Sequence, residues 1–261
     1  MGVYMEDKLK IEDIVKYKDR IYIIENIDLE NVTLVGYSYR DVVTTNISNI
    51  IKASQSDIEK ENKNNIRKIT NITEQNKRNK KNKNALFGRI LHIDGDKRYL
   101  ESCMNLYKKI GIDATGIYIH ECNIHKKIEE IILELHPDIV VITGHDNYNG
   151  EDIKDIDNYE NSKFFIEAVK KIRNHFTFNE LIVIAGACSS HFEAIIASGA
   201  NFASSPKRIN THTYDPAVVA VKVATTSCNQ LVDFNNIIKY IEKGKDAIGG
   251  IETYGKMKML L

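Results

Sequence analysis

Residues 138–146 read DIVVITGHD, and residues 181–190 read LIVIAGACSS. Each is a short, nearly unbroken apolar run that stops at small and polar residues. Apolar runs of this length, bounded by turn-forming residues, read as strands buried on both faces. Between them Phe164, Phe165, Ala168, Val169, Ile172 and Phe176 share one face of a helix. The same unit recurs on either side. Apolar runs at 89–93, 114–119 and 200–204 read as further strands. Tyr99, Leu100, Cys103, Leu106, Tyr107 and Ile110 form a second helical stripe, and Ile124, Ile128, Ile131, Ile132 and Leu135 a third. Strand–helix–strand alternation predicts one doubly wound α/β domain with a mainly parallel sheet over residues 85–261.

Upstream the pattern differs. Short β-type runs at 13–17, 20–27, 33–39 and 42–47 are separated by turn-like steps, which predicts a small β-barrel module of the SH3-like kind over residues 1–51. Residues 52–84 change again. From Lys60 to Asn84 there are seven lysines and two arginines against two glutamates, with eight asparagines and three isoleucines. So little apolar surface predicts a solvated linker.

The 261 residues carry 36 basic and 36 acidic side chains, a formal charge of zero, which argues against a nucleic-acid partner. No apolar stretch approaches 18 residues, so no membrane span is expected. The opening MGVYMEDKLK lacks the apolar segment of a signal peptide, and Glu6 stands where N-myristoylation needs serine or threonine. Four cysteines, none in a CxxC pair, predict free thiols in a reducing cytosol.

Ligands of an open parallel sheet bind beyond the carboxyl ends of its strands. The residues there are Asp94-Gly95-Asp96, His120-Glu121-Cys122, Gly144-His145-Asp146, Gly186-Ala187-Cys188-Ser189-Ser190 and Ser204 to Arg208. If the third and fourth strands are neighbours, about 5 Å apart, the imidazole of His145 meets the thiol of Cys188 over one sheet edge. A thiolate is reactive when a cation or helix amides lower its pKa. His145 and an apparent helix from His191 to Ser198 offer both. The Cys188 N–H would serve one half of an oxyanion hole, with a backbone N–H beside His145 as the other.

An apolar strand ending in histidine, followed by one ending in Ala-Cys, resembles the caspase-like cysteine peptidases. The stretches LHIDGDKRYLESCMNLYKKIGI, HPDIVVITGHDNY, AGACSSHFEAIIASGANFASSPKRI and DPAVVAVKVATTS resemble the sporulation-specific YabG family more closely. The resemblance implies a caspase-like fold for the second domain. It also implies a mother-cell protease of a spore-forming bacterium that processes spore-coat and cortex-related proteins near arginine, with no cofactor or metal. The essential cysteine and histidine fall on Cys188 and His145. The clan's His-Gly is His-Asp here, which leaves the second oxyanion amide open between Asp146 and Gly144. Arginine selection suggests Asp94 or Asp96 as the carboxylate of the first substrate pocket, although an aspartate there also suits the N-cap of the next helix. Arg67 and Arg78, in the linker, are expected sites of self-cleavage.

Other readings compete. His120, Cys122 and His125 form H-x-C-x2-H, a weak zinc pattern without a fourth ligand. His191 could rival His145 as the base. AGACSS half-matches a nucleophile elbow, which would pair Cys188 with His212 in a glutaminase-type hydrolase. A non-catalytic spore-coat scaffold is the reading outside enzymes.

Overall fold

The computed structural model describes residues 9–79 and 84–260. They fall into two units, Met1–Arg67 and Lys68–Leu261.

In the first unit, strands β1 (Ile14–Tyr17), β2 (Arg20–Asp28), β3 (Asn31–Gly36), β4 (Val42–Asn46) and β5 (Ile50–Lys52) form an antiparallel sheet in the order β4-β3-β2-β1-β5. Period-two alternation turns Val15, Tyr22, Ile24, Val32, Leu34 and Ile50 into one core. Helix α1 (Gln55–Asn79) follows. A helix thus occupies most of the segment expected to be a solvated linker over residues 52–84. Scarcity of apolar side chains argues against a core of its own but not against a helix. No glycine or proline interrupts residues 53–87. Ser54 and Asp57 form a reciprocal capping box, Asp57 N–H donating to Ser54 Oγ (3.1 Å) and Ser54 N–H to Asp57 Oδ2 (3.2 Å). Tyr37 Oη–H donates to Asn62 (3.0 Å), and Asn65 Nδ2 donates to Ser38 (2.9 Å). Arg67 and Arg78 both lie within α1. Residues 80–83 of the expected linker lie outside the described residues.

The second unit is a mixed α/β structure around a six-stranded, mainly parallel sheet. Its chain order is β6 (Ala85–Leu86), β7 (Ile90–Asp94), α2 (Lys97–Ile110), β8 (Ala114–Tyr118), α3 (Glu121–Leu135), β9 (Ile139–Thr143), α4 (Ser162–Arg173), β10 (Ile182–Ala185), α5 (Phe192–Ala197), β11 (Phe202–Ser204), α6 (Asp215–Thr225), α7 (Phe234–Ile238), β12 (Ile248–Gly250) and β13 (Lys258–Met259). The sheet order is β12-β11-β10-β9-β7-β8. Only β12 runs antiparallel, against β11, while β6 and β13 form a separate ribbon. Alternate residues of the central strands face opposite layers. Val141 and Ile184 pack with Cys103, Leu106, Val219 and Val223 of α2 and α6, whereas Val140 and Val183 pack with Ile128, Phe165 and Val169 of α3 and α4. Fully burying one such side chain contributes about 1.5–3 kcal/mol.

Helix α6 is buried along its whole length. Its DPAVVAVKVAT starts on an aspartate and a proline, both compatible with a helix N-terminus. The surrounding layers override the β propensity of its four valines.

Candidate active site

Strands β9 and β10 are hydrogen-bonded neighbours, with Ile142 opposite Ala185. Their next residues therefore leave the sheet side by side at its carboxyl edge. Gly186 donates to Ile142 O (3.1 Å), then turns at φ +100, a conformation that suits glycine. The following turn is closed by Ser190, whose Oγ accepts Ala187 N–H at 2.8 Å. Ser189 N–H donates to Ser205 Oγ (3.1 Å), so the loop after β11 braces the turn.

Cys188 sits at the apex and is 4% exposed. Thr211 N–H donates to its Sγ at 3.1 Å, and Thr211 Oγ1 lies 3.5 Å away. The backbone N–H places a donor on the sulfur, whereas in the hydroxyl contact either atom can donate. The helix expected behind the thiol is shorter than the sequence suggests. Helix α5 has six residues, with His191 as its N-cap.

His145 is 28% exposed along its side chain. Its Nε2 lies 3.0 Å from Asp96 Oδ2, and the Tyr99 ring lies 5.7 Å from the imidazole, centroid to centroid. The backbone of His145 is also gripped. Glu121 Oε1 accepts His145 N–H at 2.7 Å, and Asn161 Nδ2 donates to His145 O at 3.1 Å. Glu121 reaches this position from the first turn of α3 through a gap that two glycines leave. A Cβ on Gly95 would stand 2.1 Å from Glu121 Oε1, and one on Gly144 would stand 2.3 Å from it. The sequence reading placed Glu121 at a strand end but gave it no role. The glycines at positions 95 and 144, each just past a strand end, were the available signal.

Asp146 turns inward. Its carboxylate accepts from Asn161 N–H (2.7 Å), Ser162 Oγ (2.5 Å), Ser190 Oγ (2.9 Å) and Asn147 N–H (2.9 Å). Burial raises its carboxyl above the ordinary value and outweighs these hydrogen bonds, which pull it down.

The two aspartates of the DGD loop part company. Asp94 is fully buried. Its Oδ1 accepts Asp96 N–H (3.0 Å) and its Oδ2 accepts Thr143 Oγ1 (2.9 Å), so it does not line an open pocket as the sequence suggested. It is the last strand residue of β7, and the pleat turns it into the core. Asp96 is both things at once. Its Oδ1 caps α2 by accepting Arg98 N–H (2.8 Å) and Tyr99 N–H (3.1 Å), while its Oδ2 faces His145.

The rival bases are otherwise engaged. His191 Nδ1 accepts Ala194 N–H (3.4 Å), and its Nε2 faces Lys154 O at 3.3 Å. His212 is buried, with Nδ1 accepting Tyr214 N–H (3.1 Å). His120 Nδ1 and Cys122 Sγ lie 3.3 Å apart, whereas His125 stacks on Phe164 and faces Glu167 at 3.4 Å. Among the described residues no three side chains of metal-ligand type converge. No described helix is long and apolar enough to cross a membrane.

Comparison with known proteins matches these features to one family. The model of the YabG peptidase U57 family matches residues 7–261. The sporulation-specific protease YabG of Bacillus subtilis (strain 168) is 41% identical over 175 residues, which is 66% of this chain and 60% of that protein. The match thus spans somewhat under two thirds of the relative's length. No solved structure matches. With its family model covering all but the first six residues, the chain belongs to the YabG peptidase family.

Proposed function

We propose that the chain is a sporulation-specific cysteine endopeptidase in which Cys188 is the nucleophile and His145 the general base and acid. One observation carries this reading. His145 and Cys188 follow neighbouring parallel strands at the ligand-binding edge of the sheet, and a single carboxylate, Asp146, ties their two loops together through Ser190.

The chemistry follows from the donors present. The Cys188 thiol passes its proton to His145, and the sulfur attacks the scissile carbonyl carbon. The resulting oxyanion is stabilised by the Cys188 N–H and by an amide beside His145. Of the two candidates, Asp146 is favoured over Gly144. Its side chain is held by Asn161, Ser162 and Ser190, which fixes the residue next to His145. The imidazolium then protonates the leaving amine, the C–N bond breaks, and water hydrolyses the thioester with His145 again taking a proton.

Two finer readings of the fold belong here. The six-stranded sheet with cysteine and histidine at adjacent strand ends supports a caspase-like core. The five-stranded antiparallel sheet, with its first strand paired to its last, supports an SH3-like barrel. Spore-coat and cortex-related proteins cleaved near arginine, in the mother cell and at the forming coat, are the substrates and setting that complete the proposal. Wild type and Cys188→Ala incubated with an arginine-containing coat protein, with mass spectrometry of the new termini, test it. New ends after arginine in the wild type alone support the reading. Equal cleavage by both proteins overturns it.

A further inference from the structure

Both carboxylate oxygens of Asp96 are engaged: Oδ1 caps α2, and Oδ2 lies 3.0 Å from His145 Nε2. The loop around it is fixed from below. Buried Asp94 accepts Asp96 N–H with one oxygen and Thr143 Oγ1 with the other, and Thr143 precedes His145 by two residues on the same chain segment. Tyr99, whose N–H the same cap holds, lays its ring against the imidazole. Asp96 and Tyr99 thus hold the ring directly, and Asp94 holds the loop that carries Asp96.

We infer that Asp96 is a positioning residue for the proposed peptidase reaction: its carboxylate accepts the Nε2 proton of His145, fixes the tautomer whose lone pair is on Nδ1, and steadies the imidazolium formed when Nδ1 takes the Cys188 proton. The inference rests on the Cys188–His145 reading and replaces the expectation that Asp96 selects arginine. Asp96 remains ionised throughout and takes none of the protons that His145 exchanges at Nδ1 with the thiol, the leaving amine and water. Burial pushes the Asp96 carboxyl up, but the hydrogen bond and charge of His145, with Tyr99 N–H, outweigh it and hold the carboxyl below its ordinary value. Among the described residues, the titratable groups in contact with His145 include Asp96 and Tyr99 at the ring and Glu121 at the backbone N–H, with Asp146 next in the chain.

Asp96→Asn is the discriminating variant. Asparagine caps a helix about as well as aspartate, so α2 is kept. Its amide, however, offers Nε2 a donor, or an acceptor that bears no charge. In a comparable serine-protease triad the same exchange gives the wrong tautomer and costs about 10⁴ in kcat. The expected result here is a loss of about 10²–10⁴ in kcat at little-changed KM, equal for arginine and leucine substrates. The acid limb of the kcat/KM profile should also move to lower pH, because His145 must be neutral to act as the base and an imidazolium without its anion loses its proton more easily. Ring-nitrogen NMR, with the His145 signals assigned from a His145→Gln spectrum, should show Nε2–H in the wild type and a shift toward Nδ1–H in Asp96→Asn. A rise in KM confined to arginine substrates, with kcat and tautomer unchanged, overturns the inference in favour of a specificity pocket. Wild-type behaviour in all three measurements overturns it outright. Cys188→Ala and His145→Ala run in parallel separate the two readings: if either remains active, the dyad itself is wrong, whatever Asp96 does.

Discussion

Ser190 Oγ donates to Asp146 Oδ2 at 2.9 Å, so the turn that carries Cys188 and the loop that carries His145 are joined by one side-chain hydrogen bond. The same Ser190 oxygen accepts Ala187 N–H, which shapes the turn itself. Removing either partner leaves buried polar groups unpaired, at a cost of about 1–3 kcal/mol each. Ser190→Ala should therefore lower Tm by several degrees and reduce kcat more than it raises KM. Asp146→Ala, which orphans Ser162 Oγ and Asn161 N–H as well, should do more of both. Thermal unfolding together with steady-state kinetics measures the pair, and unchanged kinetics in both variants would remove the shared bond from the mechanism.

Four free cysteines occupy different surroundings. Cys103 is buried in the α2 core with its thiol on Thr213 O (3.4 Å), Cys228 is exposed, and Cys122 sits beside His120. Iodoacetamide inactivation should track modification of Cys188, even though Cys228 reacts early. Peptide mapping at partial inactivation decides this, and loss of activity in step with Cys228 or Cys122 would contradict it. His145→Ala should cost orders of magnitude in rate, against a small loss for His191→Ala or His212→Ala.

Acid stability should register the Asp96 contact separately from activity. Because its folded pKa lies below that of the unfolded chain, about 3.9, the carboxylate stabilises the fold above that value. The contribution disappears as pH falls through the folded value. The stability difference between wild type and Asp96→Asn should grow from neutral pH to about 5, as His145 takes its proton beside the carboxylate, and shrink below about 4, as the carboxylate itself is protonated. Denaturant titrations across this range test the sign. A difference that keeps growing below about 4 would mean that the carboxyl is raised instead.

Self-cleavage after Arg67 or Arg78 now carries a structural condition, because both belong to α1. A peptidase takes substrate as extended chain, so the helix must unwind locally before either bond is reached. Wild-type fragments beginning at Lys68 or Asn79 should therefore appear slowly, and faster in low concentrations of urea that fray the helix. Terminal sequencing against Cys188→Ala checks both points, and an intact wild-type chain under all conditions would rule autoprocessing out.

Where burial on both faces dictated the sequence, the fold was readable. The strands from β7 to β11 announce themselves as apolar runs, and Cys188 and His145 stand at the ends of two of them. Elsewhere the decisive interactions leave weak traces. Helix α1 is capped by Ser54 and Asp57 and carries few apolar side chains, so composition showed a linker but not its helix. The two aspartates of DGD look equivalent in sequence. The pleat sends Asp94 into the core and leaves Asp96 at the edge. Glu121 acts on a backbone amide, a contact that favours no particular residue type at position 145 and so writes no motif.

The gap that admits Glu121 has its own implication. Gly95 and Gly144 contribute no functional group, yet the seat of the His145 loop is defined by the volume they leave vacant. A single methyl at either position would evict the carboxylate that holds the loop. The proposed reaction would then fail through an excess of matter rather than a missing atom, with every reactive side chain intact.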